Sequence, residues 1–189
     1  MSWLEHKAEY EKIARAIDPS VRLVTKDAWP WKVIAALVMV FTFGGIRYRT
    51  FLERYATTLG PIQGYPREWP KLSTRLLVHE ARHTRQARWF GLWIHPWVGF
   101  PVFGILYLLF ILPLGFAFFR WRMEIDADLA GYRWALRNGW SPTDVRERAK
   151  AFGATVCGGN YGWSWIIGGR RGFEKAAEKA IREAAREVV

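Results

Sequence analysis

The stretch Leu77–Trp89, LVHEARHTRQARW, decides how the rest of the chain is read. It holds His79, Glu80 and His83 in H-E-x-x-H spacing. From Lys71 to about Phe90 the pattern is helical, with Ser73 placed to cap it. Residues four apart on a helix share a face, one turn apart, so both imidazoles can reach one metal ion. Glu80 stands beside them, where it can act as general base on a metal-activated water. Two histidines do not complete a catalytic zinc site, which takes three protein ligands and keeps one position open. The five-residue spacing also arises by chance, so the reading turns on whether the chain supplies a third ligand.

Downstream, RMEIDADLAGYRW (Arg122–Trp134) offers one. A helix is expected from Met123 to Asn138, ended by Gly139. Glu124 and Asp128 are i and i+4 on it and share a face. Glu124 would be the third ligand. Asp128 would accept a hydrogen bond from the outer nitrogen of a ligand histidine and fix its tautomer. Between the two motifs lies Trp93–Phe119, WIHPWVGFPVFGILYLLFILPLGFAFF, without a formal charge. One straight helix of that length would span about 40 Å and leave His83 and Glu124 on opposite sides of a bilayer. Zinc–ligand bonds of about 2 Å do not allow this. The run is therefore expected to fold back as a helical hairpin, turned near Phe100–Gly104 or near Pro113. Each arm is too short for a hydrocarbon core of about 30 Å. Such a hairpin dips into one leaflet or packs within the protein.

Upstream, Thr57–Leu59 and Ile62–Tyr65 are extended candidates separated by Gly60-Pro61, and a small β-hairpin or pair of edge strands is expected there. Val33–Ile46 is a first apolar run of fourteen residues, short of the roughly 20 needed to span a bilayer. Ser2–Ile17 reads as an amphipathic helix. Beyond Gly139, helices are expected from Ser141 to about Phe152 and from Phe173 to Val188, with the glycine-rich CGGNYGWSWIIGG between them. The fold class is mainly α with a small β element. With no repeat and no low-complexity linker, residues 1–189 are read as one zincin-like domain, with an N-terminal amphipathic helix in 1–28 and the apolar hairpin in 93–121.

His79-Glu80-x-x-His83 followed by Glu124-x-x-Ala127-Asp128 resembles the gluzincin metallopeptidases. It looks most like their membrane-associated branch, the HtpX-like and CAAX-processing zinc proteases, which also carry a hydrophobic hairpin between the motifs. The longer form H-E-x-x-H-x-x-Q, with Gln86, is similar to small bacterial and phage proteins of the same group. The resemblance covers about Ala56 to Arg137. It implies a zinc ion held by His79, His83 and Glu124, with Asp128 and Gln86 supporting the ligands. Glu80 would take a proton from the bound water and deliver it to the leaving amine. It further implies a donor to the oxyanion, for which Tyr161 is the first candidate and Tyr132 the second. A substrate peptide would be added as a strand along Thr57, Thr58, Leu59, Ile62, Gln63 and Gly64. The chain is shorter than the HtpX-like proteins, so their substrates do not carry over.

Hydrophobic residues make up 51% of the chain and aromatics 16%, with 12 tryptophans, which excludes a disordered chain. The formal net charge is +11. The basic residues flank apolar segments, so membrane lipid is the expected partner beside a peptide or protein substrate. No DNA or RNA recognition module is present, and no nucleic acid is expected. Cys157 is the only cysteine, so no intrachain disulfide can form, and the N-terminus lacks a signal-peptide pattern. The expected location is the cytoplasmic face of a membrane, with a phage particle as the other setting and a larger assembly or homo-oligomer possible. The alternative class is a non-catalytic membrane-binding or virion structural protein that keeps the zinc fold. Glu80 speaks against it, since a purely structural site has no use for a base beside its ligands.

Overall fold

A computed structural model describes residues 2–41, 44–108, 116–156 and 169–187. The described residues are mainly helical with one three-stranded sheet, the expected class. The backbone divides into two compact units, Met1–Phe100 and Pro101–Val189.

The first unit begins with Ser2, whose side chain and that of Glu5 cap a 3₁₀ turn at Trp3–His6 reciprocally. Helix α1 (Lys7–Arg15) follows. The chain then turns at Asp18, whose Oδ1 accepts from the Ser20 N–H at 3.0 Å and hydroxyl at 2.6 Å. Strand β1 (Arg22–Thr25), α2 (Trp29–Phe41), α3 (Tyr48–Arg54), β2 (Thr57–Leu59), β3 (Ile62–Tyr65) and α4 (Thr74–Phe90) complete it, and α5 (Pro96–Leu108) crosses its boundary.

The β-hairpin lies where the sequence puts it, with Gly60 at φ 56° in the turn. Strand β1 was not foreseen. It pairs parallel with β3, Arg22 opposite Ile62 and Thr25 opposite Tyr65, so the order is β1-β3-β2. Residue alternation then assigns the two faces of the sheet. Leu23 and Tyr65 pack with Trp3, Leu77 and Ala81 from the α1 and α4 side. Val24, Leu59 and Ile62 pack with Trp31, Ala35 and Phe51 from α2 and α3. Each large side chain buried this way contributes about 1.5–3 kcal/mol. Gly64 is needed on the α2 side, because a Cβ there would sit 2.5 Å from the Trp31 ring.

The sequence allowed a hairpin turn near Phe100–Gly104, but α5 runs unbroken through those residues. Pro101 lies inside it, in its second turn, and cannot donate to the Trp97 carbonyl. The other turn position, Pro113, lies outside the described residues. The sharp corner instead joins α4 to α5. Gly91 ends α4, donating to the Ala87 and Arg88 carbonyls at 3.1 and 3.0 Å. Leu92 and Trp93 then take left-handed backbone, φ 52° and 62°, at roughly 1–2 kcal/mol each for residues with a Cβ. The helices touch glycine to glycine: a Cβ on Gly99 would lie 1.9 Å from the Ala87 carbonyl oxygen.

In the second unit α6 (Phe116–Arg137) and α7 (Pro142–Val156) pack on α8 (Gly169–Glu187). Tyr132, Val145, Ala149, Val156, Phe173 and Ala177 form its core. Ser141 and Asp144 cap α7 reciprocally. Arg133 forks onto Glu183 at 2.7 and 2.9 Å, and Arg137 pairs with Glu187. No helix among the described residues is long and apolar enough to cross a membrane.

Candidate metal centre

Helix α4 is amphipathic in an unusual sense, because two of its faces are buried. Leu77 and Ala81 point into the core shared with Trp3 and Tyr65. His79, Glu80, His83 and Thr84 are buried as well. The two imidazoles sit edge to face, ring centroids 4.9 Å apart. The ligand atoms of His79, His83 and Glu124 lie within 4.8 Å of one another. The three residues are only 4, 5 and 3% exposed. Among the described residues this is the group of histidine and carboxylate side chains that could hold a metal ion.

The donor set fits a divalent transition metal: two imidazoles and one carboxylate, the composition of a three-ligand catalytic site. His83 Nδ1 lies 2.9 Å from Gln86 Oε1. A carbonyl oxygen only accepts, so this contact puts the proton on Nδ1 and leaves the Nε2 lone pair for a metal. Gln86 thus touches His83 directly, one turn further along the helix. Asp128 is fully buried and accepts from the Tyr132 hydroxyl at 2.8 Å. That bond engages the only hydroxyl proton of Tyr132, itself fully buried, and argues against this tyrosine as an oxyanion donor. Tyr161 and Cys157 lie outside the described residues.

Glu80 is placed by the edge strand. The Thr58 hydroxyl donates to Glu80 Oε2 at 2.6 Å and lies 3.2 Å from the Glu80 carbonyl oxygen. Two further buried groups feel the Glu80 charge. Burial pushes the Lys26 ammonium down to about 7, against the attraction of Glu80. Burial, then the Glu80 charge, pushes the Tyr65 phenol well above its ordinary value. Lys26 Nζ donates to the Phe51 carbonyl at 3.1 Å and to Thr57 Oγ1 at 2.5 Å, and lies 3.9 Å from the centre of the Phe51 ring. Nothing in the sequence marked Lys26, since burial of one lysine leaves no periodic trace.

The expected peptide-binding strand needs correction in part. Ile62, Gln63 and Gly64 belong to β3, whose two sides are taken by β1 and β2. Gln63 is fully buried, its Oε1 accepting from the Tyr65 hydroxyl. These residues have no free side for an added strand. Thr57, Thr58 and Leu59 form the outer strand β2. Arg88, in the basic last turn of α4, is not a free surface cation. It forks onto the buried Asp18 at 2.7 and 2.8 Å and ties the end of α4 to the turn after α1.

No family model, curated protein or solved structure matches the chain.

Proposed function

We propose that the protein is a zinc-dependent peptidase, with His79, His83 and Glu124 as ligands and Glu80 as general base. The observation that carries this reading is a buried three-ligand group with a carboxylate at the next helical position, held by a hydroxyl from an outer strand. Zinc bound there would supply Lewis acidity, to a water and to a scissile carbonyl. The remaining work falls to side chains of this chain. Gln86 fixes the proton of His83 on Nδ1. Thr58 occupies one lone-pair direction of Glu80 Oε2 and so limits its rotation, leaving Oε1 to take a proton and return it to the leaving amine. Strand β2 offers its outer edge to an extended peptide, with main-chain hydrogen bonds supplying affinity.

Metal analysis and hydrolysis test this together. Wild type should hold one zinc per chain, and Glu124→Ala should lose it. Glu80→Gln should keep the zinc and the fold while peptide hydrolysis falls at least about 100-fold. Equal rates for wild type and Glu80→Gln on a verified substrate would overturn the mechanism.

A further inference from the structure

We propose that the corner between α4 and α5, Leu92 to Trp97, is a rigid wedge that seats in the headgroup–acyl boundary of an anionic lipid bilayer. The proposal stands apart from the peptidase reading, because it uses none of the metal-site residues.

The corner turns its largest apolar side chains outward. Leu92 is 82% exposed, Ile94 69% and Trp93 53%, and Trp89 and Trp97 are exposed beside them. Such a cluster is costly in water and marks an interaction surface. Its backbone is not that of a loose loop. The N–H groups of Leu92, Trp93 and Ile94 donate to the carbonyls of Trp89, Arg88 and Gly91 at 3.1, 2.9 and 3.0 Å. The Ile94 carbonyl accepts from Arg88 at 3.4 Å, and the Trp97 N–H reaches His95 Nδ1 at 3.3 Å. A segment entering lipid must satisfy its backbone internally, because no water there replaces a lost partner. The left-handed residues Leu92 and Trp93 are therefore locked, by these bonds and by the Gly91–Gly99 contact, with their side chains outside.

Charge selects the partner. No Asp or Glu occurs between Glu80 and the end of the first unit at Phe100, a stretch with three arginines. Arg85, which is exposed, lies over the Trp93 ring, 5.7 Å from its centre. Tryptophan stacked on a cation, with leucine and isoleucine beyond it, is suited to the level where anionic headgroups meet acyl chains. A protein partner that binds through carboxylates would call for several unengaged cations at the corner, and Arg88 is already engaged by Asp18.

The test is flotation of the full chain with vesicles of phosphatidylcholine alone or with a third phosphatidylglycerol. Wild type should float with the anionic vesicles, and 0.5 M salt should weaken binding. Leu92→Ser with Ile94→Ser should weaken it by about tenfold or more, given the apolar area withdrawn from lipid. These positions are exposed, so the fold should persist, checked by an unchanged thermal transition. Lipid-independent oligomers of wild type that these substitutions dissolve would identify a subunit interface instead and overturn the proposal. So would wild type failing to float with either vesicle. Binding lost with Leu37→Ser and Val40→Ser, on the exposed stripe of α2, yet kept by the corner variant, would move the lipid surface to α2 and overturn it as well.

Discussion

Thr58 is the residue through which the sheet reaches Glu80, the base of the proposed reaction. Its hydroxyl reaches Glu80 Oε2 at 2.6 Å. Thr58→Val keeps the shape and removes the donor, so Glu80 gains a rotamer and loses its placement. Hydrolysis should fall about tenfold, in kcat, with zinc content unchanged; an unaltered kcat would show that Glu80 is held by other contacts. Lys26 gives a prediction on stability. Its ordinary value is 10.5 and burial brings it to about 7 in the fold. Between those values the unfolded chain carries a proton that the folded chain lacks, so stability rises with pH across this window. Below about 7 both states are protonated and the full burial penalty is present. Wild type should gain resistance to urea from pH 7 to pH 9, and Lys26→Met should flatten that gain. A wild-type midpoint that falls over this range would contradict the burial of Lys26.

At the level of elements, α4 was the most legible part of the chain, because two histidines four apart, flanked by a helical apolar pattern, fix both its type and its functional face. The β2–β3 hairpin was legible from Gly60-Pro61 and from alternation in Ile62–Tyr65. Strand β1 was not, since RLVT is four residues long and owes its place to a parallel partner forty positions on. That partner also changed the role of Ile62–Gly64, from an edge to the middle of the sheet. The candidate metal group was legible from two i, i+4 pairs, and Tyr132 stands four residues beyond Asp128 on the same helix face, but no spacing announced that Thr58 would hold Glu80. The α4–α5 corner was hidden because leucine and tryptophan rarely adopt left-handed backbone. Its glycine contact is open to test. Gly99→Ala would drive a methyl into the Ala87 carbonyl, and overpacking of this kind costs about 1–3 kcal/mol. A urea midpoint equal to wild type would show that the corner yields.

For the whole molecule, metal and stability should be linked. A metal held by the folded chain and not by the unfolded one stabilises the fold, and a ligand present at a hundred times its Kd adds about 2.7 kcal/mol. For a chain of 189 residues, that corresponds to roughly 5–10 °C in Tm. A chelator should lower the wild-type transition by that amount and leave Glu124→Ala unmoved. An equal response in both would place the metal elsewhere. The +11 charge should keep the chain dispersed at low salt despite its exposed tryptophans.

The parallel pairing of β1 with β3 has a consequence for any shortened form of the chain. A truncation that starts after Thr25 would remove β1 and uncover one side of β3, from Ile62 to Tyr65. The hairpin would remain, but with the four-residue strand β3 bare along one side and the wall of Val21 and Leu23 gone. Open strands of this sort recruit copies of themselves. Such fragments should collect in inclusion bodies, where the first two dozen residues serve the full chain as a built-in chaperone.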